Sequence, residues 1–279
     1  MGLKVNTNIE AISVHNNLVN TNNGIATSLK RLSSGYRITS ARDDAAGFAI
    51  ANSFSAKISA MKVASQNSSE AQSMLQTADG AYNQIHNIMV RMKSLATQAA
   101  SGQTESLATM QNEFQSLQDE IDRIANSTKY GSTTLVNGNG VAVSGITFQV
   151  GATNAAVNEI VVTFSGATAS CLGVSTTNNI GIGTLASAQA AMDAIDTALT
   201  SINSYMGHIG AYQNRLQYTI DNLAVSIENY SSSESTIRDV DMADEISNFT
   251  KNQILQQAGM AMLSQANQAP QQILSLLKG

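Results

Sequence analysis

Apolar and small residues recur along the middle of this chain in steps that alternate between four and three. The pattern begins at Ile50 and continues to Ala99, passing through Ile58, Met61 and Leu75. An average step of 3.5 residues is typical of long helices that pack side by side at a shallow angle. Fifty helical residues span roughly 75 Å, so the predicted helix needs partners along its length.

Two further segments carry the same pattern and supply those partners. One runs from Met110 to Ile124, and the other runs from Leu185 to Ile227 with Gln213 as a polar interruption. Three long helices with matching seams predict a mainly α fold, a long antiparallel bundle that resembles a coiled coil.

The segment 131–183 breaks this pattern. It holds nine of the nineteen glycines and a single charged residue, Glu159. The runs GITFQV (145–150) and EIVVTF (159–164) are rich in β-branched and aromatic residues and are bounded by Gly, Asn and Thr. They predict a small β-hairpin attached to the helical bundle.

The two ends of the chain carry apolar stripes that are too thin to stabilise an isolated helix. Both stripes lie among Asn and Gln, which predicts that the two terminal helices pair with each other as a coiled coil. The N-terminal stripe consists of Val5, Ile9, Ile12, Leu18, Ile25, Leu29 and Leu32. The C-terminal stripe includes Ile246, Ile254, Ala258, Met262, Ile273 and Leu276.

Charge is scarce, and the scarcity indicates what surrounds these helices. Charged residues make up 13% of the chain, and none occurs from Asn252 to Leu277. Amides lose less on desolvation than ions and can bond to one another across a contact. A polar helix face built from Asn and Gln therefore favours the interior of a polymer of identical chains.

Composition also excludes several classes of protein. The net charge of −5 and the lack of a Lys/Arg cluster argue against nucleic-acid binding. No apolar stretch is long enough to span a membrane, and the N-terminus lacks the features of a secretory signal peptide. By these rules alone the chain is predicted to be cytosolic. One cysteine, Cys171, excludes an internal disulfide.

Candidate chemistry is sparse. Asp43 and Asp44 could serve as paired carboxylates, but the run ARDDAAG is more typical of a helix start with acidic groups at the positive end of the dipole. The three histidines share no ligand spacing, and the methionines lie mostly on the helix seams, where they fill a core. We expect no enzyme activity and no cofactor. Pro270 is expected to kink or loosen the last helix.

Two long motifs resemble the signature ends of bacterial flagellins. They are RLSSGYRITSARDDAAGFAIA (31–51) and IRDVDMADEISNFTKNQILQQAGMAMLSQANQAPQQILSLL (237–277). The runs MKSLATQAASG and GITFQVGA resemble the family's helical core and hairpin. The resemblance implies a structural subunit that polymerises into the filament used for swimming.

The resemblance also implies how the chain is divided. Residues 1–45 and 231–279 would form two halves of an inner filament core, and 46–230 would form a surrounding rod that includes the hairpin region 131–183. Gly35, Arg42, Asp43, Asp44 and Gly47 would form the connection between the two layers.

Partners and location follow from the same resemblance. Flagellins leave the cell through their own export apparatus without a cleaved signal, which would replace the cytosolic prediction with an extracellular one. A chaperone would cover the C-terminal helix, and cap and hook–filament junction proteins would meet the filament. Arg91, Leu95 and Glu113 fall where the family contacts a Toll-like innate receptor.

Two other functions remain open at this point. A flagellar hook–filament junction protein would share the terminal core but act in few copies. A secreted helical adhesin or receptor ligand would act as a monomer and keep its activity without its ends.

Overall fold

The computed structural model describes residues 7–101, 106–139, 144–178 and 180–278, with side chains described as far as Gln268 apart from Thr177. The described residues contain five long helices and two small antiparallel strand pairs. The helices are α1 (Ile9–Ser34), α2 (Ala45–Ala100), α3 (Leu107–Ser127), α4 (Leu185–Arg238) and α5 (Met242–Lys278). The mainly helical fold class is confirmed.

The four strands form two separate pairs. β3 (Ile146–Gln149) and β4 (Glu159–Val162) pair with Ile146 opposite Val162 and Gln149 opposite Glu159, which confirms the predicted hairpin. β1 (Lys129–Tyr130) pairs with β2 (Thr133–Thr134). This second pair escaped the sequence patterns because two-residue strands are too short to show an alternation of apolar and polar side chains.

The chain divides into two compact units. One consists of residues 58–228, and the other combines 1–57 with 229–279. Helices α2 and α4 each contribute most of their length to the first unit and one end to the second.

The unit formed by residues 58–228 has a core built from the predicted heptad. Every seam position of α2 from Ile58 to Ala99 is buried, as are Phe114 and Ile121 of α3 and Ile195, Ile202 and Ile209 of α4. These buried residues give the unit a hydrophobic core of its own. Truncating one large side chain in such a core lowers the free energy of unfolding by about 2–5 kcal/mol.

Polar contacts attach the hairpin region to the helices of that unit. The Tyr82 hydroxyl donates a 2.5 Å hydrogen bond to the carbonyl oxygen of Ser165, and burial raises the pKa of Tyr82 above its usual range. Gln118 of α3 is buried and donates from Nε2 to the carbonyl oxygens of Val174 and Ile180. The segment after β4 is therefore held onto α2 and α3 through its backbone.

The second unit is built around the two terminal helices. α1 and α5 pack against each other and run antiparallel, since Asn8 contacts Ala266 near one end and Arg31 contacts Glu245 near the other. The predicted pairing of the two ends of the chain is therefore confirmed. At the ends of α2 and α4 in this unit, the rings of Phe54 and Tyr230 pack edge to face, with their centroids 5.4 Å apart.

Candidate assembly interface

The seam between α1 and α5 mixes polar, small and apolar residues. Its less exposed positions follow steps of three and four on both helices, as in a coiled coil. Leu18 is the only apolar side chain of α1 that is buried, and none of the described side chains of α5 is both apolar and buried. The seam positions are Ala11, Val14, Leu18, Thr21, Ile25, Ser28 and Leu32 on α1, and Glu245, Phe249, Asn252, Gln256, Gly259, Leu263 and Ala266 on α5.

Most of the larger apolar side chains of the two helices lie outside this seam, although six of those described lie within it. Ile9 is 67% exposed and Ile254 is 61% exposed. Monomeric soluble proteins rarely leave many large apolar groups on one face, and such faces mark contacts with another molecule. The outward apolar set, a name kept below, consists of Ile9, Ile12, Val19, Leu29, Met242, Ile246, Ile254, Leu255, Met260 and Met262.

The apolar stripes predicted from the sequence divide between seam and surface. Leu18, Ile25 and Leu32 lie on the seam, as expected for a paired helix. The other described positions of the two stripes do not face the partner helix, because polar residues, small residues and the apolar residues Val14, Phe249 and Leu263 complete the seam. Ile9, Ile12, Leu29, Ile246, Ile254, Ala258 and Met262 are exposed instead, while the side chains of Val5, Ile273 and Leu276 lie outside the described residues.

Two hollows open on the surface of this helix pair. One, of about 470 Å³, is lined by residues of α5 that include Lys251, Ile254 and Leu255. The other, of about 390 Å³, lies between Glu10 and Val14 of α1 and Met262 of α5. Members of the outward apolar set therefore border depressions that another helix could fill.

The connection after α1 is held by two carboxylates with separate tasks. Asp43 Oδ2 accepts hydrogen bonds from the hydroxyls and backbone N–H groups of Thr39 and Ser40 at 2.8–3.1 Å. The Thr39 hydroxyl and N–H, with those of Ser40, lower the pKa of Asp43 from 3.8 to about 2. Asp44 Oδ1 accepts from the Gly47 N–H at 3.0 Å and so caps α2, which confirms the predicted helix start.

The structure explains why glycine occupies both predicted glycine positions of the connection. Gly35 ends α1 in the left-handed region at φ 74°, where a side chain would be strained, and its N–H donates to the Arg31 carbonyl oxygen. Gly47 is buried, and a Cβ there would lie 2.4 Å from Asp44 Oδ2 and 2.8 Å from Ile38 Cδ1. Arg42 is exposed in the turn between them.

The connection also contacts the C-terminal end of α4. Arg37 donates from its backbone N–H to the Arg238 carbonyl oxygen and from its guanidinium to that of Ile237, both at 2.7 Å. The guanidinium of Arg238 lies 4.3 Å from the centre of the Tyr36 ring. The two chain segments that leave the terminal helices are thereby tied to each other.

The three predicted receptor positions do not share one environment. Arg91 donates from Nε and a terminal nitrogen to Glu113 Oε1, at 2.9 and 2.7 Å, and both side chains are about half exposed. Leu95 is buried in the core of its unit. Of these three positions, only Arg91 and Glu113 are accessible to a partner while the unit is folded.

The described part of the chain lacks membrane-spanning helices and clusters of metal ligands. None of its helices carries the sustained apolar stretch that crossing a bilayer requires. Across the same residues, no three His, Cys, Asp or Glu side chains converge in a way that could hold a metal ion.

Comparison with known proteins decides the family. The model of the bacterial flagellin N-terminal helical region matches residues 5–141, and that of the C-terminal helical region matches residues 192–277. The chain belongs to the bacterial flagellins. This flagellin is a structural subunit of the extracellular flagellar filament that serves swimming motility.

Relatives match this flagellin over almost its whole length. It is 38% identical to a flagellin of Bacillus subtilis over 99% of this chain and 100% of the relative. It is 39% identical to a flagellin of Halalkalibacterium halodurans over 98% and 99% of the two chains. A solved hook-associated flagellar protein of Vibrio parahaemolyticus shares the fold, with a TM-score of 0.60 and 15% identity over 71% of this chain and all of that one.

Sequence reasoning missed the residues that hold the seam together. Asn8, Asn22, Arg31, Glu245 and Gln256 make its cross-helix polar contacts. A search for the strongest apolar positions passes over such polar residues, and Asn8, Asn22 and Arg31 share no regular spacing that could have revealed them.

Proposed function

We propose that the outward apolar set drives polymerisation by becoming buried against neighbouring copies of this flagellin. The observation that carries the proposal is the distribution of apolar side chains on the terminal pair: among the described residues, ten of the larger ones are exposed and only six lie at seam positions. A helix pair made to be stable alone would place those side chains the other way round.

The energy available from such burial is large. Removing one exposed Val, Ile, Leu or Met side chain from water contributes up to about 1.5–3 kcal/mol. Each subunit offers ten of these groups on α1 and α5, so a fraction of them is enough to offset the loss of rigid-body freedom on joining a filament, which costs about 4–15 kcal/mol. The scarcity of charge on α5 limits the desolvation cost of the same step.

The proposed inner core consists of residues 1–45 and 231–279, with residues 46–230 forming the rod outside it. The compact unit that combines the two ends of the chain supports this division. The connection through Gly35, Arg42, Asp43, Asp44 and Gly47 would carry the chain from the inner layer to the outer one.

Other components of the flagellum would meet this flagellin at the same surfaces. We propose that it is exported without a cleaved signal, with a chaperone covering the apolar side chains of α5 until export. A cap protein would guide insertion at the tip, and a hook–filament junction protein would occupy the base with a matching terminal pair. A host Toll-like receptor would meet the exposed Arg91–Glu113 pair, with Leu95 supporting it from below.

Seeded polymerisation tests the proposal. Purified full-length chain, added to short filament fragments at micromolar concentration, should grow filaments of micrometre length. Growth that stops after a few copies would favour the junction protein. Full activity in cell binding by residues 58–228 alone, with no growth on seeds, would favour the monomeric adhesin and contradict the proposal.

A further inference from the structure

We infer that the α1–α5 pair carries a polar pin at each end, Asn8 with Ala266 and Arg31 with Glu245, and that these pins select one register. Register is a problem for this seam because both helices repeat every seven residues. A slip of one heptad, about 10 Å along the helix, leaves the same helix faces in contact. Because the apolar seam residues Leu18, Ile25 and Leu32 are themselves seven residues apart, burial alone discriminates weakly between the native and slipped arrangements.

The first pin originates in Pro270. Proline has no backbone N–H, so the carbonyl oxygen four residues earlier, that of Ala266, loses its helical donor. The side chain of Asn8 supplies a replacement, since Asn8 Nδ2 donates to the Ala266 oxygen at 2.7 Å. The same side chain caps α1, with Asn8 Oδ1 accepting from the Ala11 N–H at 3.1 Å. One amide thus fixes the start of α1 to one level of α5.

The second pin is the ion pair at the opposite end. Glu245 has a side chain that is only 8% exposed, and its partner Arg31 approaches to 3.5 Å. Arg31 Nε is buried without a hydrogen-bond partner among the described residues. A single long contact with an unpaired donor adds little stability, because the desolvation of both ions opposes it. Such buried polar pairs serve best to exclude alternatives, as single polar residues do at the core positions of coiled coils.

A slipped pair would break both pins together. Glu245 would lie opposite the level of Gly24, or opposite Ile38 beyond the end of α1, and would be buried without its cation. The Ala266 oxygen would lie about 10 Å from Asn8 and would have no donor from either helix. The free-energy penalty for a buried ion or acceptor without a partner is much larger than the net stabilisation from the formed pair. The pins therefore destabilise the wrong registers.

Register matters because it sets how the outward apolar side chains of α1 align with those of α5. That consequence rests on the proposed function, since it concerns the surface offered to the next copy. The inference about register itself depends only on contacts within one chain.

Disulfide trapping in the full-length chain reports the register directly. The background is Cys171→Ser, because Cys171 is exposed. The native reporter is Gly24→Cys with Asn252→Cys, as a Cβ on Gly24 lies 2.9 Å from Asn252 Nδ2. The slipped reporters are Asn17→Cys with Asn252→Cys, and Asn17→Cys with Ala266→Cys. Each of these is seven residues out of register, too far apart for a disulfide unless the helices slide.

The unpinned variant is Asn8→Ser, Arg31→Leu and Glu245→Leu. Serine keeps the cap on α1 but is too short to span the gap to α5, and the two leucines remove the ions while adding apolar area. The matched control is Asn16→Ser, Lys30→Leu and Asp244→Leu, which makes the same types of change at exposed positions of the same helices.

The parent and the control should form the native crosslink alone. The unpinned variant should form the native crosslink and at least one slipped crosslink, raised about tenfold or more over the parent. Slipped crosslinks in the parent, or their absence from an unpinned variant that still forms the native one, would overturn the inference. Loss of every crosslink would overturn it too, because the pins would then be holding the pair together rather than selecting its register.

Crosslinks are measured in monomer and after seeding, so the two proposals fail separately. Absence of filaments from the parent chain counts against the proposed function, whereas the position of the disulfide concerns only the register.

Discussion

Leu18 of α1 covers Gly259 of α5 so closely that a Cβ added at Gly259 would lie 3.0 Å from Leu18 Cδ2. The one buried apolar side chain of α1 thus faces the smallest possible residue, and the two backbones approach each other there. Close packing between Leu18 and Gly259 therefore contributes to holding the seam together.

Gly259→Val should weaken the terminal pair because its branched side chain meets Leu18, at a cost of about 1–3 kcal/mol. The measurement is the midpoint of thermal filament disassembly followed by light scattering. Gly210→Val is the matched control, since a Cβ at Gly210 of α4 meets nothing within 4 Å. Adding Leu18→Ala to Gly259→Val should restore part of the loss. Equal midpoints for the two valine variants would contradict the close approach.

The Asn8 and Pro270 positions should be energetically coupled. Asn8→Ser alone should lower the disassembly midpoint, because the Ala266 oxygen loses its donor. In a Pro270→Ala chain, residue 270 regains an N–H for that oxygen, so Asn8→Ser should become nearly neutral. A double-mutant cycle should give a coupling of about 1 kcal/mol. Effects that simply add would show that Asn8 does not replace the bond missing at Pro270.

Acid should remove the contribution of Asp43 to stability. Its pKa falls from 3.8 to about 2 in the folded chain, so the folded state prefers the ionised carboxylate. The contribution is complete above the unfolded value of 3.8 and is lost as the pH falls through about 2. The difference in thermal midpoint between the parent and Asp43→Asn should therefore be constant at neutral pH and shrink between pH 4 and pH 2.

Arg42→Gln is the control for this profile, because Arg42 is exposed beside Asp43 in the same turn. A difference between the parent and Asp43→Asn that stays unchanged down to pH 2 would mean that the four hydrogen bonds to Asp43 do not favour its ionised form.

The sequence was most informative where one chain supplies its own partners. From Ile58 to Ala99 every predicted seam position of α2 is buried, because α3 and α4 lie within the same chain and cover that face. Ile50, at the start of the same pattern, is exposed. The hairpin and the helix start at Asp44 were predictable for a related reason. The residues that determine each of them are close together in the sequence.

The terminal pair shows where this reasoning fails. A hydrophobic stripe indicates that a face will be covered, but it does not say whether the cover comes from the same chain or from another copy. Ile254 and Asn252 lie two residues apart, and it is Asn252 that faces α1. Only the structure distinguishes the seam between α1 and α5 from the outward apolar set.

Ile254→Asp should prevent filament growth on seeds, because a buried carboxylate without a partner costs several kcal/mol at every subunit. Circular dichroism should show that residues 58–228 remain helical, since that unit has its own core. Leu276→Asp should have the same effect. Ile254→Leu is the control and should polymerise normally. Normal swimming of cells that carry Ile254→Asp would refute the role given to this side chain.

Methionine oxidation in the unaltered chain tests the central claim most directly. Met260 and Met262 are 56% and 59% exposed in a single chain, whereas Met89 and Met92 are fully buried and serve as internal references. Dilute peroxide, read by peptide mass spectrometry, should oxidise Met260 and Met262 rapidly in monomer and at least about tenfold more slowly in filaments, while Met89 and Met92 stay slow in both. Oxidation of Met260 and Met262 at the monomer rate within intact filaments would contradict the claim that neighbouring copies cover the outward apolar set.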